Sequence, residues 1–324
     1  MRVGGGGRHP LGTLGDMHAP SAFPSAFVVG EALVDIVVDG DSTVEHPGGS
    51  PMNVAYGLAR LGVTTTLRTQ IAQDQRGRAL EEHLAPVGVV LDPASRSAEH
   101  TSTAVATIQP DRHAEYEFDI EWAPGELALP DGVGLVHTGS IASALRPGSD
   151  DVAALFAESR PRALLSFDPN VRPGVTPDRE AVLATVDALA SVVHVLKLSD
   201  EDAAWLHPGL LLDEVVDRYL EAGATLVAVT RGAEGVLVAT ATDRLSLPSQ
   251  PVDVVDTIGA GDSFMSGLLF AILSRGLADG VRSGVLGRGD LEAVAATALA
   301  SARVTVSRAG ANPPTPDELA AALG

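Results

Sequence analysis

An α/β fold is expected: a central, mostly parallel sheet with helices on both faces, plus a small β-sheet set apart from it. Three observations carry this. From residue 135 onward, short apolar runs (135–138, 163–167, 192–198, 225–230) alternate with helix-like stretches (149–160, 178–190, 200–206, 212–222), the mark of βαβ units. Two alternating, Thr- and aromatic-bearing runs, 101–109 and 114–120, are joined by Pro110-Asp111-Arg112-His113 and read as a hairpin outside that series. Late in the chain, a small-residue turn, Gly259-Ala260-Gly261, separates a strand-like run, 252–255, from an apolar helical segment, 264–273.

Composition narrows the partners. The 324 residues suit either one large α/β unit or two domains, and 45% hydrophobic content can build a substantial core. With only 4% aromatic residues, Ala, Val and Leu must fill it. A formal charge of −20 argues against nucleic acid or an anionic membrane as partner, since both reward clustered Lys and Arg. A bound phosphate would need local help from helix ends, a few arginines or a metal ion. The absence of cysteine rules out disulfides and thiolate metal sites and fits a cytoplasmic location. No run of 18 apolar residues suggests a membrane span. Residues 1–25, with Gly4 to Gly7 and several prolines, read as a disordered tail without a signal peptide's apolar core, and Met17 is a second candidate start.

Taken in order, residues 27–38 read as one long strand carrying two acids, Glu31 and Asp35. A buried, unpaired carboxylate is costly, so these acids either sit on a wet face or have a task. In Gly48-Gly49-Ser50-Pro51-Met52-Asn53, Ser50 suits an N-cap and Pro51 the first helical position. Val54, Leu58 and Leu61 follow at helical spacing and Gly62 closes the helix, which puts Asn53 in its first turn. The hairpin and the tail of the first strand, about 37–44, would build the small sheet. Tyr116, Phe118 and Trp122 either line that sheet or form a packed cluster.

In a doubly wound sheet, ligands bind at the C-terminal strand ends. Three segments fall there: Asp168-Pro169-Asn170-Val171-Arg172-Pro173, Lys197-Leu198-Ser199-Asp200-Glu201-Asp202, and Thr230-Arg231-Gly232-Ala233-Glu234-Gly235. An Asp-Pro turn, a helix start with acidic first-turn residues and a glycine loop explain the same letters without any ligand. A long Ala-rich helix, 291–307, follows the central motif, and Thr315-Pro316-Asp317-Glu318 is a capping box that opens a final helix.

The central motif itself is Asp256-Thr257-Ile258-Gly259-Ala260-Gly261-Asp262-Ser263-Phe264. A helix starting near Asp262 leaves its first N–H groups unpaired, with the positive end of the macrodipole beside them. That suits a phosphate. A carboxylate at the same place repels a resting phosphate, so Asp262 reads as a base taking a proton from an attacking alcohol. An N-capping Asp after a glycine turn is the plain alternative.

The segment 256–262 resembles the C-terminal signature of the PfkB, or ribokinase-like, family of carbohydrate kinases. Gly48-Gly49-x-x-x-Asn53 with Ala55, Leu58, Ala59, Leu61 and Gly62 resembles that family's first signature, and Gly30-Glu31 with Asp35 its opening strand. The resemblance spans about 27–323. It implies a ribokinase-like fold with the small sheet, inserted from about 37–46 and 100–122 of a 26–324 kinase domain, as a lid over the sugar and as a homodimer contact. It implies an ATP- and Mg²⁺-dependent sugar kinase with Asp262 as general base and Gly259, Ala260 and Gly261 as the anion hole. Asp35, Gly48, Gly49 and Asn53 would hold the sugar, joined by Asn170 and Arg172 of a D-P-N-x-R segment typical of fructokinases and 2-keto-3-deoxygluconate kinases. Lys197, Thr230, Gly232 and Gly235 would meet the nucleotide. Relatives read Asn-x-x-Glu where this chain has Ser199 and Asp202, which leaves Asp202 or Glu201 to act on Mg²⁺ through water. Asp256 and Ile258 occupy the places of a K⁺ site in some relatives. Leu299 stands where relatives carry an adenine-facing Asn, so adenine contacts would come from elsewhere. D-Fructose is the expected substrate. Alternatives are 2-keto-3-deoxygluconate, ribose or a nucleoside, or a regulator that binds sugar or nucleotide without catalysis.

Overall fold

The computed structural model describes residues 23–109 and 113–324. Most of the expected tail, Met17 and the hairpin turn at 110–112 lie outside these residues. The tail is shorter than expected at its inner end. Phe23 sets its ring edge-on against Phe270, with centroids 5.8 Å apart, and the first strand already begins at Ser25.

In chain order the first third comprises β1 (Ser25–Val29), β2 (Leu33–Asp39), β3 (Ser42–Gly48), α1 (Ser50–Arg60), β4 (Thr65–Arg68), α2 (Gln75–Leu84), β5 (Val90–Leu91), β6 (Thr103–Ile108) and β7 (Ala114–Asp119). The alternating series follows: β8 (Val133–Gly139), α3 (Gly148–Ser159), β9 (Leu164–Asp168), α4 (Arg179–Ala190), β10 (Val195–Ser199), α5 (Asp200–Leu206), α6 (Leu212–Ala222) and β11 (Leu226–Thr230). The chain closes with β12 (Val236–Ala239), β13 (Arg244–Leu247), α7 (Ala260–Ser274), α8 (Ala278–Arg282), α9 (Arg288–Val306) and α10 (Pro316–Leu323).

Nine strands form the main sheet in the order β13-β12-β11-β10-β9-β8-β1-β4-β5. It is parallel from β5 to β11 and turns antiparallel only at the β12 and β13 edge. Because strand side chains alternate in direction, each central strand feeds two cores. Ala26 and Val28 join one, with α1, α7 and α9, while Phe27 and Val29 join the other, with α3, α4 and α6. Leu226 and Ala228 against Val227 and Val229 repeat the split on β11. Such two-sided burial explains the continuous apolar runs of the sequence.

Four further strands, β3-β2-β6-β7, make the small sheet. The expected single strand over 27–38 is therefore two strands in two sheets. The break at Gly30-Glu31-Ala32 arises because Gly30 lies against Pro51 with no room for a side chain, and Glu31 turns inward instead of continuing the ladder. One face of the small sheet is buried through Val34 and Ile36, which share a core with Leu80 and Leu84 of α2. The other face is open. Trp122 does not belong to it: the indole is buried and donates from Nε1 to the Ala142 carbonyl at 2.9 Å.

Two other expectations are corrected. Residues 252–255 form no strand, since Val254 and Val255 lie in the open and the Val255 N–H donates to the last turn of α9, at Val306 O. Ser50 is not a cap either. Gly49, at φ 112°, is the N-cap of α1, and Ser50 is the first helical residue. Among the described residues no helix is long and apolar enough to cross a membrane.

Candidate active site

Parallel register brings the C-terminal ends of the central strands to one rim. Gly139 pairs with Asp168 across β8 and β9, and Ser199 with Thr230 across β10 and β11. Over this rim stands the start of α7. Its N-cap is Gly259, in the left-handed region at φ 73° that glycine adopts without strain. The helix thus opens at Ala260, two residues earlier than expected, and Asp262 falls in the first turn. The N–H groups of that turn have no acceptor within the helix and carry the positive end of its dipole, although the Ala260 N–H donates to the Thr257 carbonyl at 3.2 Å.

Asp262 is buried, 7% exposed, and both its oxygens are engaged by α1. Ser50 Oγ donates to Oδ1 at 2.6 Å, and Asn53 Nδ2 donates to Oδ2 at 2.8 Å. The helices approach this closely because of Gly57, one turn beyond Asn53. A Cβ there would stand 2.4 Å from Ser266 Oγ on α7. Positions 50, 53 and 57 share one face of α1 and meet 262 and 266 on α7.

Under the glycine turn lies a buried cation. Lys197 Nζ sits 3.0 Å from where a Cβ on Gly261 would be and donates to Asp168 Oδ2 at 2.7 Å. Burial, with the charges of Asp202 and Asp262, pushes Asp168 up to about 6 against the pull of Lys197. Burial pulls the Lys197 ammonium down, but Asp168, Asp202 and Asp262 outweigh it and hold its value above the ordinary lysine range. The ammonium lies against the glycine turn. Asp168 Oδ1 is buried without a partner.

Asp202 accepts from the backbone N–H of Val171 with Oδ1 (2.8 Å) and of Ser199 with Oδ2 (2.9 Å). It caps α5 in a capping box with Ser199 and braces the 168–172 loop. A metal reaching it directly would compete with those donors. Among the described residues no group of three or more His, Asp or Glu side chains converges on a metal position. Asn170, at φ 37°, turns this loop, and the Arg172 guanidinium donates to the carbonyls of Asn170 (3.3 Å) and Val171 (3.1 Å).

The charge of Arg172 reaches both acids of the opening strand. Burial raises the Asp35 carboxyl, opposed by Arg172 and His46. Burial raises Glu31 to about 7, opposed by the Ala142 N–H, Ser140 and Arg172. Glu31 Oε2 accepts from Ala142 N at 3.0 Å and Oε1 has no partner. Gly48 ends β3 beside Asp35, and a Cβ on Gly49 would lie 2.6 Å from Glu31 O.

The remaining expected positions stand apart. Asp256 accepts from Ile258 N (3.0 Å) and Gly310 N (2.8 Å), and these donors hold its carboxyl below the usual range. Ile258 is exposed. Thr230, Gly232 and Gly235 form the tight turn from β11 to β12, and among the described residues none of their hydrogen bonds reaches the glycine turn. Leu299 packs, half-buried, against the core. Sequence reasoning missed three groups: Ser50, whose hydroxyl was assigned to capping, and Asp168 and Glu31, whose partners are remote in sequence.

Comparison with known proteins bears on this arrangement. The family model described as pfkB family carbohydrate kinase matches residues 24–318. A fructokinase of Rhizobium leguminosarum bv. trifolii is 32% identical over 255 residues, 75% of this chain and 78% of that protein. A fructokinase of Klebsiella pneumoniae is 33% identical over 268 residues, 78% of this chain and 86% of its own. Among solved structures, a fructokinase double mutant from Vibrio cholerae, bound to fructose, ADP and potassium ion, superimposes with a TM-score of 0.77 at 26% identity, covering 93% of this chain and 99% of that one. Fructokinase from Xylella fastidiosa with bound ATP gives 0.79 at 25% identity, over 92% and 98%.

Proposed function

This chain belongs to the pfkB family of carbohydrate kinases, and we propose that within it the protein transfers the γ-phosphate of ATP to D-fructose. The observation that carries the mechanism is Asp262 in the first turn of α7, oriented by Ser50 and Asn53 beside Gly259-Ala260-Gly261. A sugar hydroxyl donates to Asp262 and loses its proton there as its oxygen attacks phosphorus. The new O–P bond forms while the bond to the ADP oxygen breaks. Backbone N–H groups of the turn and the Lys197 ammonium face the charge that grows on the phosphoryl oxygens. Mg²⁺ would neutralise the β- and γ-phosphates; it typically takes most of its ligands from phosphate and water, which fits an Asp202 whose own oxygens are engaged. Thr230, Gly232 and Gly235 serve the nucleotide, and Asp35, Gly48, Gly49, Asn53, Asn170 and Arg172 the sugar. The Asp256 and Ile258 segment is the proposed K⁺ site.

A neutral sugar is favoured over 2-keto-3-deoxygluconate because the Arg172 guanidinium is already held by the Asn170 and Val171 carbonyls and its charge reaches the Asp35 carboxyl. An ADP-release assay with Mg-ATP against D-fructose, 2-keto-3-deoxygluconate, D-ribose and adenosine tests this. Fructose should turn over best; preference for the keto acid would make Arg172 a carboxylate clamp and replace the reading. Asp262→Asn should keep ATP binding and lose about 10²–10⁴-fold in kcat, the usual worth of a general base. Near-wild-type turnover in that variant removes Asp262 from the role.

The open face of the small sheet supports a homodimer through the lid. Val44, Val37, Ala106 and Tyr116 align in one cross-strand row, and Tyr116 is 66% exposed.

A further inference from the structure

We propose that Ser50 is a positioning residue for the base: it holds Oδ1 of Asp262 through the reaction, so that Oδ2 is the oxygen presented to the acceptor hydroxyl. The inference rests on the reading of Asp262 as general base and deepens it.

Three observations lead there. The Ser50 hydroxyl has no structural task in its own helix, because the N-cap is Gly49 and α1 has no side-chain cap. Among the described residues its partner is Asp262 Oδ1 at 2.6 Å, a short bond of the kind made to an ionised acceptor. The two contacts to the carboxylate also differ in access. Ser50, on Oδ1, is buried, whereas Asn53, on Oδ2, is half-buried. A substrate arriving over the strand-end rim is then expected to meet the Asn53 amide and its oxygen, Oδ2, before Oδ1. Gly57 against Ser266 holds the two helices close one turn beyond Asn53, which keeps the Ser50 donor beside Asp262.

The division of labour is then simple. Before substrate binds, Asn53 occupies Oδ2. The sugar hydroxyl takes that place, and the freed amide of Asn53 turns to a neighbouring sugar oxygen. The hydroxyl proton passes to Oδ2 as the O–P bond forms and the bond to ADP breaks. Ser50 keeps its own proton throughout. Its donation fixes the carboxylate plane, leaving sugar affinity to other groups.

Ser50→Ala, Ser50→Thr, Asp262→Asn and the Ser50→Ala/Asp262→Asn double variant, each measured for kcat, KM for the accepted sugar, the pH profile of kcat and thermal unfolding, test the assignment. Ser50→Ala should lower kcat by about tenfold, the scale of one charge-assisted hydrogen bond, with KM within about twofold. The acid limb of its profile should move to higher pH, because a donor to the charged form has gone. Ser50→Thr, which keeps a hydroxyl, should return the limb towards wild type. In the double variant the Ser50 change should add little, since both residues act through one group. Wild-type kcat and an unmoved limb in Ser50→Ala, with Asp262→Asn inactive, overturn the role of Ser50 and leave the base in place. Lost turnover with an unmoved limb overturns it too, as the mark of mere packing. An active Asp262→Asn removes the base reading itself.

Discussion

Glu31 is 3% exposed, with one oxygen on the Ala142 N–H and the other on nothing, and its ionisation is coupled to the stability of the fold. Burial raises its carboxyl from 4.5 to about 7. The folded chain therefore keeps a proton that the unfolded chain releases between those values. The stability this contributes is complete below the ordinary value and is lost as pH rises through the raised one. Asp168, raised to about 6, acts in the same direction over a lower window. In Glu31→Gln the amide oxygen still accepts from Ala142 but nothing titrates. We expect the variant to lose less stability than wild type between about pH 5 and pH 8, by on the order of 3 kcal/mol. Denaturant midpoints at the two pH values measure this, and an identical fall in both proteins would assign the effect elsewhere.

The seam between α1 and α7 is where a change of one carbon should be felt at a distance. Gly57→Ala would gain about 1 kcal/mol of helix propensity, yet its Cβ would lie 2.4 Å from Ser266 Oγ and 2.8 Å from Ser266 Cβ, both buried. Overpacking of this kind costs about 1–3 kcal/mol. A lower unfolding midpoint together with reduced kcat is expected, because separating the helices loosens Ser50 and Asn53 from Asp262. A stabilised variant with full activity would show that the seam has slack. At this scale the sequence was readable wherever local chemistry marks an end. The helices at 200–206 and 212–222 match expectation to the residue, since Ser199 with Asp202 and then Gly223 punctuate them. The break after Val29 was not readable, because apolar residues on both sides serve two different sheets. Nor was Ser50, since a capping hydroxyl and a hydroxyl bound to a remote acid look alike in sequence. Lys197 with Asp168 becomes a pair only once parallel register sets β9 beside β10.

For the whole molecule, the homodimer proposed through the open face of the small sheet is a matter of mass. Light scattering at about 10 μM should give twice the chain mass, and Tyr116→Asp should shift it towards one; a wild-type monomer ends the dimer reading. The two cores also differ in how far apart along the chain their parts lie. The core holding α3, α4 and α6 draws its helices from residues 148–222, neighbours along the chain. The opposite core joins α1 to α7 and α9, and the contact between Ser50 and Asp262 spans 212 residues. Local contacts close sooner than remote ones. On the ribosome, where the N-terminal portion emerges first, the residues proposed to hold the sugar and most of the sheet can be in place while the proposed base, Asp262, has yet to be synthesised. On that proposal a nascent or truncated chain lacking α7 would be a sugar-binding surface without chemistry, and catalytic competence would arrive as one of the last acts of folding.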